Sequence, residues 1–199
     1  MLLSASYMGS IEQFALIAAS GKAEIEFFDH YSRQTCRNRT HILTSDGPDT
    51  LVIPVVKPGC NTTGKDILIA DSEWQPVHWR TIKSSYDSSP FLEFYEDDLA
   101  PFFHKPYKFL YDFDFELCCC MARLMGIKTE IVPTEAYRFD AEDDYRNLIL
   151  KKARLENFHC PPYYHVFSGY GFPDAGLSAL DLLCNMGPES ILLLKDCLK

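Results

Sequence analysis

No stretch of this 199-residue chain approaches the roughly 18 consecutive apolar residues of a membrane-spanning helix. The opening MLLSASYMGS carries neither the basic n-region nor the long apolar h-region of an export signal, so a cytoplasmic protein is expected. Basic residues are in deficit: 19 Lys and Arg stand against 28 Asp and Glu, a formal charge of -9. That balance argues against a general nucleic-acid binder, because such proteins neutralise phosphates with a basic surface. Zinc-ligand spacing, a phosphate-binding glycine loop and a nucleophile elbow are all missing, and with them the reaction classes they serve. There is no internal repeat or low-complexity tract. Cysteine is not scarce, but Cys118, Cys119 and Cys120 are consecutive on an expected helix and diverge by about 100°, so they do not converge on one ion. With no export signal, reduced thiols and no metal site are expected.

What is present is apolar and aromatic. The hydrophobic fraction of 47% and aromatic fraction of 14% suffice for the core of one domain spanning residues 1–199. A short strand over Leu2–Ser6, a helix over Ser10–Ala19 closed by Gly21, and a strand over Ala23–Phe28 read as a β-α-β unit. RNRTHIL, a turn at Asp46-Gly47-Pro48 and TLVIPVV read as a hairpin, with Pro54 forcing an edge or a bulge. A further short strand is expected over Asp66–Ala70. Helices follow: one near Pro76 that stops before Pro90, one over Phe91–Ala100, and one that starts at Pro106 and ends at Gly126. Thr129–Val132 returns to the sheet, and Tyr137–Lys152 reads as a polar excursion. Ser178 and Asp181 form an expected capping box before two terminal helices separated by Gly187-Pro188. The expected class is α/β: a single domain with a mixed β-sheet, made of the β-α-β unit plus the hairpin, and a largely helical C-terminal half.

The segment YSRQTCRNRT concentrates three arginines, a glutamine and an asparagine in an acidic chain. On a strand, Arg37, Arg39 and His41 share one face about 7 Å apart. Two guanidiniums at that spacing suit a diphosphate, or a phosphate and a carboxylate, while Gln34 and Asn38 add directional contacts. A solvated face, or ion pairs to Asp29, would produce the same pattern. His78 beside Arg80 on the next helix offers a titrating imidazole and a cation, a candidate general base and charge stabiliser. The bland alternative is a surface histidine beside a core tryptophan. Asp144, Arg146 and Lys151 form another polar group, and His165 with Tyr163, Tyr164 and Asp181 a third.

In order along the chain, YSRQTCRNR, LVIPV, HW with SSYDSSPFLEFYEDDLAPF, DYRNLILKK and LSALDLLCNMGPES resemble segments of the WbqC-like family. The opening LSASYMGSIEQF is similar to its Bacteroides-type branch. The resemblance covers nearly the whole chain. It implies a cytosolic, transferase-like step on an anionic activated sugar, or on its acyl or aminoacyl substituent, in O-antigen or other lipopolysaccharide-type cell-surface polysaccharide synthesis. A non-catalytic accessory protein is the alternative. Many relatives carry H-Q-P-x-Y-x-P after the first strand, where this chain has Ser4-Ala5-Ser6-Tyr7-Met8-Gly9-Ser10. The site set it implies is Gln34, Arg37, Asn38 and Arg39, with Asp144, Arg146, Lys151, Asp181 and Asn185 for substrate, and His78 with Arg80 for catalysis. The partner expected is a phosphorylated or carboxylated small molecule. No cofactor and no oligomeric state are identified.

Overall fold

A computed structural model describes residues 1–59, 62–150, 155–167 and 176–198. Within them lie β1 (Leu2–Ser4), α1 (Ile11–Ala19), β2 (Lys22–Glu26), β3 (Arg39–Thr44), β4 (Gly47–Val52), α2 (Trp74–Tyr86) and α3 (Leu92–His104). They are followed by α4 (Leu110–Leu124), β5 (Glu130–Pro133), α5 (Ala179–Met186) and α6 (Ser190–Asp196). The chain is mixed α/β, with its parallel and antiparallel strands in two separate sheets.

The opening β-α-β unit forms because Ser10 caps α1, its hydroxyl accepting from Gln13 N at 3.1 Å, while Ile11, Phe14 and Ile17 turn inward. β1 and β2 pair in parallel, and β5 joins β2 from more than 100 residues later, placing Ile131 opposite Ala23. Leu2, Leu3, Ala23 and Ile25 are all buried, as strands covered on both faces require. β3 and β4 form the hairpin, but its turn is Ser45-Asp46 rather than the expected Asp46-Gly47-Pro48. Pro48 lies on β4 opposite Leu43, a tolerable place in a two-stranded sheet where every strand is an edge. Pro54 falls beyond the strand end, and over 66–70 Asp66 closes a 3-10 turn while Leu68 and Ile69 form isolated bridges in place of the expected strand. The backbone of this stretch is divided between two neighbours, Leu68 O accepting from Val56 N and Ile67 O from Leu110 N, both at 2.9 Å.

That division also explains why α4 starts at Leu110 and not at Pro106: Ile69 N donates to Lys108 O, and Leu68 bridges Phe109, so the chain before Leu110 is already committed. α3 runs past the expected Ala100 to His104, through Pro101. Pro101 has no N–H for the carbonyl of Asp97, an exposed residue, where a missing helical bond costs least. Ser178 caps α5 through Leu180 N at 3.1 Å. Asp181 does not complete a capping box, its carboxylate being engaged by Tyr163. α1, α4 and α5 enclose a core in which Phe14, Phe113, Leu117, Met121, Leu182 and Leu183 are fully buried. The seven described cysteines are free thiols, and among the described residues no helix is long and apolar enough to cross a membrane.

Gly64, in the turn before Ile67, has the Tyr111 ring where a side chain would begin: a Cβ there would lie 2.3 Å from Cζ. Gly64→Ala is therefore expected to lower stability by about 1–3 kcal/mol through overpacking. A reduced urea midpoint with unchanged m-value would show it.

Candidate functional site

The polar segment after β2 is anchored from beneath. Arg37 donates from Nε to the Tyr111 hydroxyl at 2.6 Å and from NH1 to Ser32 Oγ at 2.9 Å, and pairs through NH2 with Asp29. Tyr111 in turn donates to Asp29 Oδ1 at 2.8 Å, closing a triangle, and Ser4 Oγ reaches Asp29 Oδ2 at 3.2 Å. Arg37 is 4% exposed and Asp29 8%. Burial alone would pull the guanidinium down, but Tyr111 and Asp29 outweigh it and hold Arg37 above its ordinary range. The other end of the segment is fixed by Asn38 and Ile53, which exchange Ile53 N→Asn38 O at 2.9 Å and Asn38 Nδ2→Ile53 O at 2.8 Å.

Between these anchors the chain from Tyr31 to Arg39 forms a wall with a hollow on each side. The first hollow, of about 580 Å³, is lined by Tyr31, Arg33, Gln34, Asn38 and Arg39 from the wall and by Val55, Lys57 and Pro58 from the chain beyond β4. Three cations line it with no carboxylate. None of the three has an ion-pair partner among the described residues. Arg39 Nε and Asn38 Oδ1 are closed to water and have no hydrogen-bond partner among the described residues. Gln34, on the rim, holds φ at 60°, a left-handed conformation that a glutamine adopts only when the surrounding chain dictates it.

The second hollow, of about 370 Å³, lies at the carboxyl ends of β1 and β2, where open parallel sheets place their ligands. Ser4, Asp29, His30, Ser32, Arg37, Asp144 and Arg146 supply its polar lining. Its charges are matched internally. Arg146 meets Asp144 through Nε at 3.0 Å and NH2 at 2.6 Å, and Glu26 through NH1 at 3.4 Å. The Arg146 hydrogen bond holds Asp144 below the usual carboxylate range. Tyr137 places its ring 4.9 Å from the same guanidinium.

Gln34, Asn38 and Arg39 thus share one hollow, whereas Arg37 lines the other. The two arginines do not lie on one strand face, because β3 begins only at Arg39 and Arg37 is drawn back by Asp29 and Tyr111. Asp144 and Arg146 join Arg37. Asp181 and Asn185 belong to neither hollow: on α5, Asp181 accepts from Tyr163 Oη at 2.5 Å, and Asn185 ties Val166 N to the Asp181 carbonyl. Burial raises the Asp181 carboxyl, although Tyr163 pulls it the other way. Lys151 lies outside the described residues. His78 is buried against the rings of Tyr7 and Trp74, with Nδ1 3.0 Å from the Tyr7 hydroxyl, and lines neither hollow. Desolvation pushes it down to about 4. Arg80, two residues on, points about 200° away on the helix and is exposed, so the expected catalytic pair is not assembled.

Sequence reasoning passed over Tyr31, Arg33 and Lys57 in the cationic hollow, and Tyr111 and Asp114 beneath it. Lys57 was legible as the one cation in VVKPG. Asp114 follows Tyr111 by one turn of α4, with both carboxylate oxygens buried and unpartnered among the described residues. Burial raises its carboxyl well above the ordinary value, against the pull of Arg37.

The WbqC-like protein family matches residues 5–162. The chain belongs to that family. Over 98% of its length and 97% of the relative's, it is also 25% identical to a Mycobacterium tuberculosis protein named as the uncharacterized protein Rv1507c. No solved structure matches it. The family match takes in both hollows and leaves α5 and α6 beyond its end.

Two outcomes follow from this geometry. Arg37→Ala strands the buried Asp29 carboxylate and is expected to cost about 3–5 kcal/mol, whereas Arg39→Ala costs less than about 1 kcal/mol; chemical denaturation of each variant measures both. His78, at about 4 when folded and about 6.5 when unfolded, takes up protons on unfolding between those values. Stability therefore falls as pH drops from about 6.5 to 4, by on the order of 3 kcal/mol from this group. A smaller loss over the same window in His78→Gln, followed by urea denaturation, attributes it.

Proposed function

We propose that this chain binds an anionic small molecule, phosphorylated or carboxylated, in the hollow lined by Arg33, Arg39 and Lys57. The observation that supports this reading is three converging cations with no acidic residue in the lining of the hollow. In a protein of net charge -9, carboxylates are plentiful elsewhere, so the local excess is a property of this wall. Gln34 and Asn38 orient the ligand with neutral amides, and Arg39 presents a planar fork to it. Arg37 holds the wall in place. In this reading the protein works in the cytoplasm, in the synthesis of cell-surface polysaccharide, and no nucleic acid is among its ligands.

A transferase-like reading, acting on an activated sugar or on its acyl or aminoacyl substituent, has its own support. Beyond the same wall, the second hollow collects an imidazole, carboxylates and hydroxyls from His30, Asp29, Asp144, Ser4 and Ser32. Acid–base work requires such groups near the bound substrate. The described lining of the cationic hollow offers no carboxylate, thiol or imidazole, so any proton transfer falls to the second. An accessory protein would use the first hollow alone.

Calorimetric titration with inorganic phosphate, pyrophosphate and a dicarboxylate is expected to show binding that weakens with salt. Arg39→Ala and Lys57→Ala should each weaken it about tenfold or more, as the loss of one charge-assisted hydrogen bond implies. Unchanged affinity in both variants would place the anion elsewhere. Turnover of a bound nucleotide sugar or acyl donor, followed by mass spectrometry and lost in Asp144→Asn, separates the transferase from the accessory protein.

A further inference from the structure

The two orphaned atoms in the wall specify more than charge. Arg39 Nε is a donor without an acceptor, and Asn38 Oδ1, on the neighbouring residue, an acceptor without a donor. The orientation of the Asn38 amide follows from its partner: Nδ2 donates to the Ile53 carbonyl at 2.8 Å, which leaves Oδ1 as the free end. Asn38 is 7% exposed, so this acceptor carries the desolvation cost of an unmade hydrogen bond. A ligand that satisfies both atoms brings an anionic acceptor to Arg39 and a hydrogen-bond donor to Asn38, side by side. Three cations favour a dianion over a carboxylate, and they repel an ammonium donor, which leaves a neutral donor, of which a hydroxyl is the smallest. Tyr31, Val55 and Pro58 supply apolar faces for a carbon skeleton, and 580 Å³ is room enough for a hexose-sized ring with its phosphate.

Resting on the anion-binding reading above, we infer that the ligand is a phosphorylated polyol whose phosphoryl group lies against Arg39 and whose hydroxyl donates to Asn38 Oδ1. Asn38 is then the residue that separates hydroxylated phosphates from bare ones. Because both atoms are closed to water, the ligand reaches them as the long, exposed side chains of Arg33, Gln34 and Lys57 swing aside. A wall pinned by Arg37 at one end and Ile53 at the other keeps the backbone still while they do so.

Calorimetric titration of the full chain with glucose 1-phosphate, cyclohexyl phosphate and inorganic phosphate tests this directly. Cyclohexyl phosphate keeps the ring and the phosphate and lacks the hydroxyls. The expected result is glucose 1-phosphate binding at least about tenfold more tightly than cyclohexyl phosphate, the discrimination of one buried hydrogen bond. In Asn38→Leu the ratio of the two affinities should fall toward one. Should Asn38→Leu not fold, the ligand comparison on the unaltered chain decides alone. Equal affinity for the two esters overturns the hydroxyl requirement and leaves the anion site standing. Failure of all three phosphates to bind overturns both.

Discussion

The closed triangle of Asp29, Arg37 and Tyr111 sets the position of everything near the candidate site. A buried carboxylate and a buried guanidinium are each costly alone, and the tyrosine hydroxyl satisfies both at once, donating to one and accepting from the other. Ser4 adds a link from the end of β1, and Ser32 a link along the wall itself. The triangle therefore joins β1, the segment after β2 and α4 at one point. Such an arrangement adds little net stability compared with an apolar core of equal volume, but it permits few alternatives, because each member displaced leaves a charge in low dielectric. The fixed course of residues 29–39 follows from that intolerance.

With the wall fixed, its residues divide between the two hollows, and the division of labour follows. Asp29, Ser32 and Arg37 turn toward the charge-matched side at the strand ends; Tyr31, Arg33, Asn38 and Arg39 turn toward the cationic side. One side is electrically quiet and the other is not. Arg146 illustrates the contrast, since its guanidinium is consumed by Asp144 and Glu26 and has little left for a ligand. The cations of the other side are held apart from the acidic helices, Lys83 and Arg123 being the ones that serve α3 through Glu96 and Asp98. A negative chain thereby keeps a positive cavity.

Much of the fold was legible locally. Ser10 announced α1, the alternation of RNRTHIL announced β3, and Gly187-Pro188 announced the break between the last helices, because caps, pleats and breaks act over a few residues. What stayed hidden was decided at a distance. The strand pattern placed Arg37 beside Arg39; an ion pair to Asp29 was the alternative it left open, and Arg37 takes it, held there also by Tyr111 from far along the chain. Pro106 read as a helix start until residues 67–69 claimed the backbone around Phe109. His78 carries no mark of burial in its own HWR triplet, which suits a surface site; the rings that cover it are Tyr7, from the opening of the chain, and Trp74, one turn back. In the site itself, residue types were readable and their partition between two hollows was not.

Ile11 N donates to Leu177 O at 3.2 Å, Ala179 N to Gly9 O at 2.9 Å, and Ser178 N to His41 O at 2.8 Å. The first helix is thus completed by nearly the last one, and the hairpin is tied to both. During synthesis the opening strands and helix emerge long before residues 177–179, so their apolar faces wait uncovered until those partners have left the ribosome as well. Assembly of this protein is a late, chain-spanning event, and the interval before it is when chaperones would find the most to hold.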